Sequence, residues 1–60
     1  MNEWIGKYCR IWIRNLAANP IIYTCKVMNV SSGFMTILDR NGDNISININ
    51  DIIQIREEGE

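Results

Sequence analysis

The sequence predicts an all-β domain of five short strands rolled into a small barrel, and three features predict it. Several segments either alternate apolar and polar side chains or are nearly all apolar and β-branched, and twelve of the sixty residues are Ile. Turn-forming residues separate these segments at short intervals: residues 15–20, Ser31-Ser32-Gly33, Asn41-Gly42 and Asn50-Asp51. The gaps leave no room for a helix longer than a terminal turn.

Taken in order, residues 1–7 fit either a single helical turn or an extended lead-in, with Trp4 as a plug over one end of a small core. Residues 8–14 alternate as a strand: Cys9, Ile11 and Ile13 point inward, and Tyr8, Arg10, Trp12 and Arg14 point outward. Residues 15–20 form a loop, and Pro20 suits only a strand start or a sheet edge. Residues 21–30 make a long second strand, with Tyr23, Cys25 and Val27 on one face and Thr24, Lys26 and Met28 on the other.

The third and fourth strands, residues 34–40 and 43–49, form a hairpin through Asn41-Gly42, the strongest short hairpin signal in the chain. A two-residue loop there pairs Arg40 with Asp43 and Leu38 with Ile45. It turns Phe34, Thr36 and Leu38 inward with Ile45, Ile47 and Ile49, and leaves Met35 and Ile37 outward with Ser46 and Asn48. A three-residue loop would put Phe34 and Leu38, or three Ile, in water, and is rejected on that ground. Asn50-Asp51 suits one turn of 3₁₀ helix. Residues 52–56 make the fifth strand, with Ile53 and Ile55 on one side and Ile52 tucked into the turn. Residues 57–60 are expected to be a frayed, charged tail.

Sixty residues suggest one domain over 1–60, of a size that buries only about 60% of the surface its unfolded chain exposes. Such domains lean on disulfides, metals or partner subunits. Two cysteines and no histidine exclude a disulfide framework and an ordinary Cys/His zinc site, so self-association or an unusually apolar core is the expected supplement. No signal-like leader and no apolar run near the roughly 18–20 residues of a membrane span are present, so the expected compartment is the cytoplasm, with reduced thiols. The net charge of −1 argues against bulk attraction to nucleic acid. Its distribution is uneven. Residues 1–38 sum to +3 (Lys7, Arg10, Arg14 and Lys26 against Glu3). Residues 39–60 sum to −4 (Arg40 and Arg56 against Asp39, Asp43, Asp51, Glu57, Glu58 and Glu60). That split favours head-to-tail contacts, beside the plainer reading of an acidic solvated tail.

Gly6-Lys7 before the first strand, Val27 and Val30 on the long strand, Gly33-Phe34, Asn41-Gly42, and Asp51-Ile52 with Ile55 resemble the Sm-like branch of the SH3-like barrels. That branch includes the bacterial Sm-like RNA chaperone. These residues resemble still more closely the short Sm-like barrel proteins of low-GC Gram-positive bacteria, which often end in a similar Ile-Arg-Glu. The resemblance covers nearly the whole chain and rests on apolar spacing and turn residues. It implies rings in which the fourth strand of one subunit pairs with the fifth of the next. It also implies RNA pockets built from an Asp and an Asn around the turn before the third strand, and an Arg-Gly step after the fourth. The matching positions here are Ser31 and Met35, then Ile49 and Asn50, and all four depart from that pattern. Met35 and Ile49 lack the hydrogen-bonding and stacking groups that Asn and Arg provide.

The outward residues Tyr8, Arg10, Trp12 and Arg14 interleave rings with guanidinium groups. That stripe suits single-stranded nucleic acid, a subunit contact or a plain mixed surface. Outward Met35 and Ile37, joined by Trp12 or Met28, would form an apolar interface patch, unless a twisted barrel buries both sides of that strand. Cys9 and Cys25 read as buried, inert neighbours, and Asp39 and Asp43 as solubilising turn residues. With no histidine and no glycine-rich phosphate loop, the residues point away from an enzyme. They imply no cofactor, metal, membrane or small-molecule substrate. The expected partner is a second copy or another protein, with RNA or single-stranded DNA as the alternative.

Overall fold

The structure, a computed structural model, describes residues 2–58. Five strands, β1 (Tyr8–Ile13), β2 (Ile21–Ser31), β3 (Phe34–Leu38), β4 (Asn44–Asn48) and β5 (Ile52–Glu57), form one antiparallel sheet in the order β4-β3-β2-β1-β5. A 3₁₀ turn at Asn2–Trp4 precedes β1, and a second at Ile49–Asp51 joins β4 to β5. The sheet has no ladder between β4 and β5, which are its two edges.

The three residues of the second 3₁₀ turn span from one edge strand to the other, so the sheet must curl. Ile49 N donates to the Gly33 carbonyl at 2.9 Å, and Arg14 N donates to the Asp51 carbonyl at 2.8 Å. Ile13 and Tyr23 consequently line a cleft together with Ile45 and Ile47. In a flat sheet β1 and β4 would lie about 14 Å apart.

The inner face carries the core. Cys9, Ile11, Cys25, Val27, Met35, Ile37 and Ile47 are buried, and Trp4, Ile13, Tyr23, Val30, Ile45, Ile49, Ile52 and Ile55 pack against them. β1 follows the alternation of its sequence. β2 does so as far as Val27 and then bulges: Val27 pairs with Ile37 and Asn29 with Thr36, leaving Met28 as the extra residue. The bulge turns both Met28 and Asn29 outward, returns Val30 to the core side, and bends the eleven-residue strand. At the N-terminus the lead-in is helical. Trp4 does pack on the core, and Gly6 N ties the segment to the Val27 carbonyl at 2.8 Å.

The β3–β4 hairpin departs from the expected register. Leu38 pairs with Asn44, Ile37 with Ile45 and Met35 with Ile47. The loop is the rejected three-residue one, Arg40-Asn41-Gly42. Asp39 N donates to the Asp43 carbonyl at 2.9 Å, Gly42 N donates to the Asp39 carbonyl at 3.2 Å, and Gly42 takes the left-handed φ of 89°. The physical cause is the Asp39 carboxylate, whose Oδ1 accepts from both Asn41 N and Asp43 N at 2.9 Å. Met35 and Ile37 therefore point inward and are fully buried, whereas Phe34 is 48% exposed. Arg40 lies in the loop instead of opposite Asp43.

The two-residue turn occurs one hairpin earlier. Ser31 pairs with Phe34, and the central residues Ser32 (φ 54°) and Gly33 (φ 82°) both have positive φ, as a type I′ turn requires. On β5 a bulge at Ile53 pairs Gln54 with Trp12 and Ile52 with Ile13. Ile52 and Ile55 thus face the core and Ile53 is exposed, where Ile53 and Ile55 had been expected to share a side. Of the expected tail, Glu57 belongs to β5 and Glu58 N donates to the Tyr8 carbonyl at 2.8 Å, so neither is frayed. Gly59 and Glu60, like Met1, lie outside the described residues.

Candidate interaction surface

Two surfaces remain for function once the inner face is filled: the outward face of β1 with its neighbours, and the open sheet edges. Tyr8, Arg10 and Trp12 share the outward face of β1, set by the same alternation that buries Cys9 and Ile11, and the exposed Arg14 follows directly after the strand's last residue. Met35 and Ile37 do not join them. As core residues they offer no surface, and the apolar patch expected around them does not form.

The charges of the β1 face are already engaged. Arg10 lies directly opposite Arg56 on β5, and both guanidinium groups meet the Glu58 carboxylate, at 3.8 Å and 3.1 Å respectively. Arg14 reaches the second 3₁₀ turn, donating to the Asn50 carbonyl at 2.7 Å and pairing with Asp51 at 3.8 Å. Lys7 pairs with Glu57 at 3.6 Å. Each ring has a cation beside it: Arg56 stands 5.6 Å from the Trp12 ring centre, and Lys26 stands 5.5 Å from that of Tyr8. The acidic end of the chain thus neutralises the basic stripe, and a phosphate backbone must compete with carboxylates for these arginines. The charge split in the sequence is satisfied within one chain.

The edges differ from each other. On β4 the hydrogen-bonded pairs with β3 are 39/43, 37/45 and 35/47, so the amides of Asn44, Ser46 and Asn48 point away from the sheet. That edge, Asn-Ile-Ser-Ile-Asn, has no charge and no proline, the usual guards against edge pairing. The β5 edge is bulged at Ile53 and becomes charged only at Arg56-Glu57. The outward face between them carries Ile22, Met28 and Phe34 in solvent. Sequence reasoning missed Phe34 because it followed the Asn-Gly turn. It also passed over Leu16, whose signal was a lone large apolar group in a polar loop.

Cys9 and Cys25 are directly opposite one another, free and buried, as their alternation predicted. Burial pushes both thiols up; Cys25 reaches about 11, helped by the neighbouring Cys9 and by Asp39. Such thiols are poor nucleophiles at neutral pH. Among the described residues, no three His, Cys, Asp or Glu side chains gather as metal ligands, and no helix is long and apolar enough to cross a membrane. No family model, curated protein or solved structure matches the chain.

Proposed function

We propose that the chain is a small non-enzymatic assembly module, a homo-oligomer built on an SH3-like barrel of Sm-like type and working in the cytoplasm. The strand order, the curl of the sheet and the 3₁₀ turn between β4 and β5 support that barrel type. One observation carries the functional reading. The molecule has two unpaired edges, and one of them is an uncharged strand whose free amides are unguarded. An edge on β4 and a different edge on β5 make a heterologous contact, which closes into a ring when the rotation allows. Among the described residues, seven hydrophobic side chains are buried and eight large ones are exposed, a balance that association improves.

Sedimentation or light scattering at high micromolar concentration tests this reading, and a monomer there would count decisively against it. Ser46→Pro removes an outward amide without touching the β3 ladder, and is expected to dissociate the particle while the circular dichroism of the strands persists.

Single-stranded nucleic acid is the second reading, favoured by Tyr8, which is 63% exposed beside Lys26. It ranks lower because of the ion pairs described above. Its test is a salt-dependent shift with short oligonucleotides that Arg10→Ala with Arg14→Ala abolishes.

A further inference from the structure

Four of the eight large apolar side chains left in solvent sit at one end of the sheet. Leu16 lies in the β1–β2 loop, Ile21 and Ile22 open β2, and Ile53 is the bulged residue of β5. The end of β1 runs between them, with Trp12 and Ile13 paired to Ile22 and Ile21 on one side and to Gln54 and Ile52 on the other. Leu16 is the extreme case, at 95% exposed. Its loop is an ordered turn: Ala17 N donates to Asn15 Oδ1 at 3.2 Å, and Ala18 N donates to the Asn15 carbonyl at 3.3 Å. The turn therefore holds a large apolar group in water, with no return inside the single chain.

Beside this loop is an apolar cleft of about 200 Å³ where the curled sheet brings β4 towards β1 and β2. Ile13, Ile21, Tyr23, Ile45 and Ile47 supply its apolar lining, and Ser46, Asn48 and Asp51 its polar rim. Ile13 and Ile21 bracket the loop in sequence, so the knob and the cleft are neighbours, yet Leu16 stands outside the cleft. A knob beside a cleft on the same molecule is self-complementary under a twofold axis, because each copy then fills the other.

Charge and area both fit a second copy as the occupant. Residues 15–20 carry no charge, so two loops meet without repulsion. Arg14, on the rim, is neutralised within its own chain by Asp51 and the Asn50 carbonyl. Residues 14–22 and 50–54 number fourteen, of which twelve are exposed. A quarter of so small a chain, with a total surface of 4154 Å², supplies the roughly 600 Å² per copy that a small specific interface needs.

We propose that this end of the sheet is a twofold self-association surface, in which Leu16 of each copy enters the apolar cleft of the other. The proposal rests on the reading of the chain as a self-assembling module, and it adds a side-chain contact made by the β1–β2 loop in a cleft that reaches β4. Where edges join copies into a ring, the Leu16 contact pairs two rings. Where they do not, it makes a dimer. In both cases its loss halves the particle.

The mass of the intact chain in solution, measured by light scattering after size exclusion for the wild type, Leu16→Asp and Leu16→Met, tests it. The expected result is half the wild-type mass for Leu16→Asp with the circular dichroism of the strands retained, and full mass for Leu16→Met, which keeps an apolar knob. A monomeric wild type overturns both this surface and the assembly reading beneath it. An associated wild type for which Leu16→Asp has any mass other than one half, or for which Leu16→Met also loses mass, overturns this surface alone.

Discussion

Asp39 and Asp43 are joined twice across the β3–β4 turn: the Asp39 amide donates to the Asp43 carbonyl, and the Asp43 amide donates to Asp39 Oδ1, both at 2.9 Å. With the further bond from Asn41 N, one carboxylate organises the whole loop and fixes its length at three residues. Asp39→Ala is expected to cost about 1–2 kcal/mol, as for the loss of a helix cap. Asp39→Asn, which keeps the acceptor oxygen, is expected to cost clearly less. Urea midpoints of the two variants provide the check.

The facing of β3 has a direct energetic signature. Met35 is fully buried and Phe34 is half in water. Met35→Ala is expected to destabilise by about 2–5 kcal/mol, a large part of the stability of so small a domain, and Phe34→Ala by under about 1 kcal/mol. Thermal melts that reverse this order would falsify the register.

Ser32 occupies a left-handed position (φ 54°) that Asn tolerates better than Ser. Ser32→Asn is expected to stabilise the β2–β3 hairpin by about 0.5 kcal/mol, read as a rise in melting temperature.

The Cys25 thiol gives the fold an alkaline limit. Its value is raised from 9.0 to about 11 by burial first, and then by Cys9 and Asp39. Between those values the unfolded chain has already lost its proton while the folded chain retains it. The stabilising contribution is therefore complete below pH 9.0 and is lost as pH rises through about 11, on the order of 2 kcal/mol in all. Cys25→Ser should flatten that part of the urea-midpoint profile. In the native wild type, both buried thiols should resist a maleimide at neutral pH and react once urea is added.

Glu58 separates two arginines that face each other across β1 and β5. Its removal leaves like charges directly opposite, partly in solvent. Glu58→Ala is expected to cost under about 1 kcal/mol at low salt, and nearly nothing near 1 M salt, where the Debye length falls to about 3 Å. A salt-independent loss would point to packing in place of charge.

Much of the fold was legible in local chemistry. The existence and approximate place of the five strands, the 3₁₀ turn before β5, the inward Cys9 and Ile11 and the outward Tyr8 to Arg14 stripe follow from alternation and turn residues that act over a few positions. The facing ends of β3 and β4 do not, since β3 stops at Leu38 and β4 runs from Asn44 to Asn48, inside the expected 34–40 and 43–49. The candidate surface was less legible. The arginines of the stripe meet carboxylates more than thirty residues away in sequence, and no local pattern announces such partners.

The hairpin marks the boundary. Asn41-Gly42 indicated that a turn exists there, and Ser31-Ser32-Gly33 indicated another, but the sequence alone determined neither loop length. The Asp39 side chain chose three residues for the second turn. The curl of the sheet then decided that Met35 and Ile37, with Ile45 and Ile47 opposite, were the pairs to bury. β3 is apolar on both faces, so alternation leaves its inward side undetermined, and a slip of one residue exchanges the two. Only packing against β1 and β2 could break that tie, because the free energy separating the two registers lies in contacts between strands.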